Sequence, residues 1–76
     1  MITVKIYGLL RLDSGIRELQ VQAASIKELL RYLEAKGMDG HTLSGCHILV
    51  NGKETTLHCS LSDGDIVQLF PPVAGG

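Results

Sequence analysis

One segment constrains the fold more than any other: SIKELLRYLEAKG, residues 25–37. The Ser25 hydroxyl can accept from an orphan amide of a first helical turn, and Glu28 three residues later completes a capping box. Ile26, Leu29, Leu30 and Leu33 then recur at i, i+3, i+4 and i+7, which makes one apolar stripe. Lys36 suits the negative end of the helix dipole, and Gly37 suits the left-handed residue after a last turn. The pattern predicts a helix over 26–36. It is the main helix of the chain, and one helix covers one face of one small sheet.

The flanking sequence supplies strands for that sheet. Ile2, Val4 and Ile6 alternate with Thr3, Lys5 and Tyr7, the period of a strand with one buried face. LDSG (12–15) is a turn cluster, and ELQVQA (18–23) alternates again, so these runs pair most simply as a hairpin. Residues 38–45 read as a loop. HILVNGKET (47–55) is a strand, an Asn-Gly turn and a short returning strand. LSDG (61–64) is a further turn, in which Asp63 and Asp65 around Gly64 are turn residues rather than an acid/base pair. DIVQLF (65–70) is the last strand, stopped by Pro71, which has no amide for a ladder.

The order β-β-α-β-(β)-β with one main helix makes a two-layer α+β fold. The helix crossover lets the first and last strands lie centrally and parallel. That arrangement is the ubiquitin-like β-grasp, a mixed sheet of four to five strands. The expected division is a β-grasp domain over 1–70 and a flexible carboxyl-terminal tail over 71–76.

A chain of 76 residues is one domain. At this size only about 60% of the unfolded surface is buried on folding, which leaves no room for a deep catalytic cavity. The chain therefore reads as a binding module, carrier or subunit rather than an enzyme. Seven basic residues stand against eight acidic ones without a basic block, which argues against nucleic acid as a partner. The first ten residues alternate rather than form the apolar run of a signal peptide, and no apolar run is long enough to span a bilayer. The expected location is cytoplasmic.

Histidine and cysteine form two mirrored pairs, Cys46-His47 and His58-Cys59. Neighbours on a strand point to opposite faces, and the C-x₂₋₄-C spacing of zinc sites is absent, so no metal site is expected. The bland expectation is one core-side and one surface residue in each pair. A disulfide between Cys46 and Cys59 is not expected in a cytoplasmic chain. The glycines form no phosphate-cradling motif.

Two features do point to a site. With Ile6 facing the core, Tyr7 faces away; with Val67 and Leu69 facing the core, Phe70 faces away. Adjacent central strands would thus present both aromatics on the helix-free face, where exposed aromatic patches mark partner surfaces. The second feature is LFPPVAGG, residues 69–76. Pro71-Pro72 is a stiff extended element that projects the last four residues off the sheet. Gly75-Gly76 lacks side chains and can thread a slot too narrow for a Cβ. The terminal carboxylate is a poor electrophile that an ATP-dependent partner could convert to an acyl-adenylate.

DGDIVQLFPPVAGG (63–76) resembles the carboxyl end of the MoaD/ThiS-type sulfur carriers, and most closely the signature D-G-D-x-V-x-x-x-P-P-V-x-G-G of the MoaD type, the small subunit of molybdopterin synthase. Asp63, Gly64, Asp65, Val67, Pro71, Pro72, Val73, Gly75 and Gly76 match it, and IYGLLRLDSG (6–15) and VNG (50–52) resemble the family's first strand with its loop and its central hairpin. The resemblance implies that an E1-like adenylating enzyme of the MoeB type uses ATP to adenylate Gly76, and that sulfur transfer then leaves a thiocarboxylate there. It implies that Val73, Ala74 and Gly75 thread into the active site of a large, MoaE-type synthase subunit, where the sulfur goes to a pterin precursor of the molybdenum cofactor. Phe70 and Tyr7 match docking positions, and Arg11 matches a basic, partner-contacting position in the following loop. No cofactor is implied on the carrier itself. The sequence departs from the family at Leu12-Asp13, where many members have an acidic residue directly after the arginine, and in the polar run Lys53, Glu54 and Thr55.

Other functions share much of this pattern. A ThiS-like carrier for thiamine thiazole synthesis uses the same tail chemistry, though that group usually lacks the Pro-Pro. A ubiquitin-like protein modifier would join Gly76 to target lysines by isopeptide bonds. A bare interaction domain would use only the aromatic face.

Overall fold

The computed structural model describes residues 1–72, apart from the side chain of Asp13. In chain order it contains β1 (Ile2–Ile6), α1 (Gly8–Ser14), β2 (Glu18–Val21), α2 (Ile26–Ala35), α3 (Gly40–Ser44), β3 (His47–Val50), β4 (Lys53–Glu54) and β5 (Ile66–Phe70). The strands form one sheet in the order β2-β1-β5-β3-β4. β5 is the middle strand and β1 lies parallel beside it, with Val4 opposite Val67 and Ile6 opposite Leu69. β2 flanks β1 and β3 flanks β5, both antiparallel. This is the mixed-sheet β-grasp arrangement expected from the sequence.

Alternation along the central strands decides the two faces. Val4, Val67 and Leu69 are 0% exposed and Ile6 is 1% exposed. α2 lies over this face and adds Ile26, Leu29 and Leu33, each 0% exposed. Leu30, the fourth member of the apolar stripe, packs half-buried at the edge of the core. The helix begins as its cap predicts: the Glu28 amide donates to Ser25 Oγ at 3.2 Å. It ends at Ala35, one residue before the expected limit, and Gly37 takes a φ of 103°.

The sequence reading is corrected in two places. β1 and β2 pair antiparallel as expected, but the residues read as a turn cluster at LDSG belong to a connecting helix, α1. Gly8 enters it at φ 64° and Gly15 closes it at φ 74°, with the Gly15 amide donating to the Arg11 carbonyl at 2.8 Å. Between these left-handed ends, Leu9, Leu10, Arg11 and Leu12 are good helix formers, and Leu10 anchors the turn in the core at 3% exposure. Likewise 38–45 is not all loop. Asp39 Oδ2 accepts from the Thr42 amide at 3.0 Å and from its hydroxyl at 2.7 Å, which starts α3, and Leu43 pins it at 2% exposure.

The β3–β4 turn has positive φ at both Asn51 (52°) and Gly52 (84°), the geometry that an Asn-Gly hairpin predicts. Asn51 also reaches outside its hairpin. Its Nδ2 donates to Asp65 Oδ1 and its Oδ1 accepts from the Ile66 amide, each at 3.0 Å. Asp65 Oδ2 accepts from the Ser62 amide at 2.8 Å, so the expected turn role of Asp65 holds. One asparagine thus clamps the hairpin to the start of the central strand.

Candidate functional site

The helix-free face of the sheet is built from the residues that alternate with the core. From β2 to β4, Glu18, Lys5, Gln68, Leu49 and Glu54 follow one another in a row set by the pairing register. One step toward the carboxyl end of β5, Tyr7, Phe70 and His47 form the next row, with His47 opposite Phe70. The Tyr7 amide donates to the Leu69 carbonyl at 3.2 Å and thereby fixes Tyr7 at the end of the β1–β5 ladder.

The two aromatics predicted to face away from the core do so together. The rings of Tyr7 and Phe70 stack with centroids 4.5 Å apart and planes 6° from parallel. Gln68 Nε2 donates to the Tyr7 hydroxyl at 3.1 Å and holds the outer end of the pair. Both rings are half-buried, so each keeps a free edge and face for another molecule. Such rings carry large contact area at low entropic cost, which suits the centre of an interface.

Charge is unevenly placed around the stack. A shallow groove beside Tyr7 is bounded by Lys5, Arg11, Arg17 and Glu18, three cations against one acid. Arg11, expected in a loop, lies exposed on α1. α1 also exposes Leu9 (53%) and Leu12 (74%). On the other side of Phe70, His47 Nδ1 lies 3.4 Å from Glu54 Oε1.

Pro71 and Pro72 leave the sheet directly beside the stack. Pro71 is half-buried against Gly8, and Pro72 is exposed beside Gly45. Val73, Ala74, Gly75 and Gly76 lie outside the described residues, as does the expected reactive carboxylate. The described residues thus end at Pro71 and Pro72, beside a partly exposed aromatic pair.

Sequence reasoning missed four participants here. Gln68 carried a signal, because it shares the outward period with Ile66 and Phe70. Leu9 and Leu12 carried none, since their exposure follows from the unforeseen α1. Gly8 becomes meaningful only when residue 71 is placed against it.

The mirrored His/Cys pairs separate as the bland reading expected. Cys46 and Cys59 pack at the core margin, while His47 and His58 are exposed. Cys46 Sγ donates to the Thr42 carbonyl at 3.3 Å, and burial raises its pKa above 9.0, so it is held as a thiol. Among the described residues no group of three or more His, Cys, Asp or Glu side chains is placed to hold a metal ion, and no helix is long and apolar enough to cross a membrane.

A β-grasp body of this kind is that of the ubiquitin-like carriers and modifiers. Within that class the chain belongs to the ThiS family, whose model matches residues 4–76. It is 38% identical over 65 residues to small archaeal modifier protein 3 of Haloferax volcanii, covering 70% of this chain and 71% of that one. Subunit 1 and 2 of the Helicobacter pylori molybdopterin-converting factor form a protein–protein complex whose matching chain is 29% identical, with a TM-score of 0.72 over 99% of this chain and 97% of that one. Small archaeal modifier protein 1 of Haloferax volcanii matches with 28% identity and a TM-score of 0.80, over 99% of this chain and 98% of the other.

Proposed function

We propose that this chain is a sulfur carrier, activated at Gly76, that serves as the small subunit of molybdopterin synthase. The observation that carries the reading is the Tyr7–Phe70 stack on the uncovered sheet face, immediately before Pro71-Pro72 and a sequence ending in Gly-Gly. A docking face at the root of a narrow tail suits a protein whose reactive atom is consumed in another protein's active site. The likeness to the Helicobacter chain, which forms a complex with a second subunit, supports the synthase assignment.

The chemistry starts from the carboxylate. Its oxygen attacks the α-phosphate of ATP on an E1-like, MoeB-type enzyme, forming the acyl-adenylate and releasing pyrophosphate. Hydrosulfide from the sulfur donor then attacks the acyl carbon, the bond to AMP breaks, and a thiocarboxylate remains with loss of one proton. The tail, Val73 to Gly76, next enters a MoaE-type large subunit, which supplies the catalytic groups for transfer to the pterin. The carrier contributes recognition through Tyr7, Phe70 and Arg11, direction through Pro71-Pro72, and no catalytic side chain. ATP belongs to the activating enzyme, and the setting is cytoplasmic.

The test is intact-mass measurement after incubation with the activating enzyme, ATP and a sulfur donor. The expected gain equals the exchange of one oxygen for sulfur, and it disappears when Gly76 is deleted while the fold persists. An unchanged mass with an enzyme that activates its own carrier refutes the reading. The 38% identity to an archaeal modifier favours a second reading, conjugation of Gly76 to protein lysines. Adducts of this chain on other proteins, without sulfur delivery to a pterin, would select it.

A further inference from the structure

We propose that Gly8 directs the tail, by leaving open the space that the Pro71 ring occupies; the consequence for activation rests on the carrier reading, while the geometry does not. Gly8 is the first residue after the β1–β5 ladder closes at Tyr7, and Pro71 is the first after β5 ends. A Cβ added to Gly8 would lie 2.9 Å from Pro71 Cγ and 3.3 Å from Pro71 Cδ. The first distance is shorter than real Cβ contacts, and the atoms it meets belong to a rigid ring rather than to a flexible side-chain end. Something must shift, and we take the Pro71 ring to move rather than the Gly8 backbone, which the adjoining β1–β5 ladder holds at Tyr7. At Pro72 the fit is looser: a Cβ on Gly45 would stand 3.6 Å from Pro72 Cγ, an ordinary contact.

The ring's position matters because proline fixes its own φ, so the place where the ring rests sets the heading of the chain beyond it. Five residues beyond Pro71 reach at most about 17 Å, so the place of the ring sets where that reach begins. Misplacement of a reacting group by about 1 Å can cost 100-fold in rate. Gly8 is thus a positioning residue that acts on the terminal carboxylate through Pro71.

Gly8 also has a φ of 64°, which an L side chain rarely adopts, so strain must be separated from the lost space. D-alanine does this. It favours positive φ and carries its methyl group on the other side of Cα, away from the position of the L Cβ. Full-length chains of this size are accessible by chemical synthesis. Residual dipolar couplings of the Val73 and Ala74 amides report the tail's mean direction, and pyrophosphate release by the activating enzyme gives kcat and KM.

Gly8→Ala is expected to shift those couplings and to lower kcat at least tenfold with a smaller change in KM. Gly8→D-alanine and Gly45→Ala are expected to keep the couplings, with kcat within twofold of the unaltered chain. Should Gly8→Ala fail to fold, Pro71→Ala, which removes the ring, is expected to shift the same couplings. Unchanged couplings in Gly8→Ala or in Pro71→Ala, or equal shifts from the D and L residues, overturn the proposal. If even the unaltered chain is not adenylated, the carrier reading fails and the couplings alone decide the role of Gly8.

Discussion

The two faces of the central strands are made from the same ten residues and obey opposite rules. On the inner face Val4, Ile6, Val67 and Leu69 are packed under α2 with essentially no exposure. On the outer face Lys5, Gln68 and Phe70, with Tyr7 next to them, stay partly open, and a ring stack and one amide–hydroxyl hydrogen bond join Phe70, Tyr7 and Gln68. Period-two alternation thus places stability and recognition one residue apart. Substitution on one face should move folding with little effect on recognition, and on the other the reverse.

The largest expected effect tests the inner face. Leu69→Ala should cost about 3 kcal/mol and lower the thermal midpoint by roughly 12–20 °C, measured by circular dichroism. A loss of only a few degrees would mean that the central strand is not the keystone of the core. Phe70→Ala, its immediate neighbour, should leave the midpoint within about 8 °C yet weaken binding to the activating enzyme by roughly 30-fold, about 2 kcal/mol, in a titration. Equal losses of stability and binding would erase the distinction between the faces.

Arg11→Glu sharpens the picture at the rim. The association rate should fall several-fold at low salt, with the gap to the unaltered chain narrowing as salt rises, because an exposed charge steers encounter more than it holds a complex. A salt-independent change would place Arg11 in the buried part of the interface instead. The smallest effect belongs to neither face. The Ser62 amide, then Asn51, hold the Asp65 carboxylate below its ordinary 3.8. A depressed pKa gives stability that is present above the unfolded value and lost as pH falls through the folded one. The acid limb of a urea-midpoint profile, below about pH 4, should therefore be shallower in Asp65→Asn.

The parts of the molecule that were legible in the sequence are those in which local pattern and tertiary role agree. The alternation in 2–6 and 66–70, the capped stripe of α2 and the Asn-Gly turn each state their structure within a few residues. From them came the outward direction of Tyr7 and Phe70, and hence their meeting on the uncovered face. α1 and α3 escaped because helices of seven and five residues are too short to show a full apolar period and depend on a single buried leucine each. Leu10 and Leu43 are those anchors; Leu10 is hidden between Leu9 and Leu12, and Leu43 is a lone apolar residue with no period around it. The contact of Gly8 with Pro71 was illegible for another reason: the pairing of β1 with β5 was foreseen, but not the register that sets residue 8 against residue 71.

That neighbourhood has a mechanical side. β1 starts at one end of the sheet, and β5, parallel to it, finishes at the other. A pull on the tail, resisted through the amino-terminal end, loads the hydrogen bonds between the two strands together, in shear, rather than opening them one after another. Under the proposed carrier reading, a partner that draws the last residues into its active site could pull on them without peeling β5 away from β1. The body behaves as a stopper on a tether, and its resistance to being drawn in is set by the strongest part of the sheet.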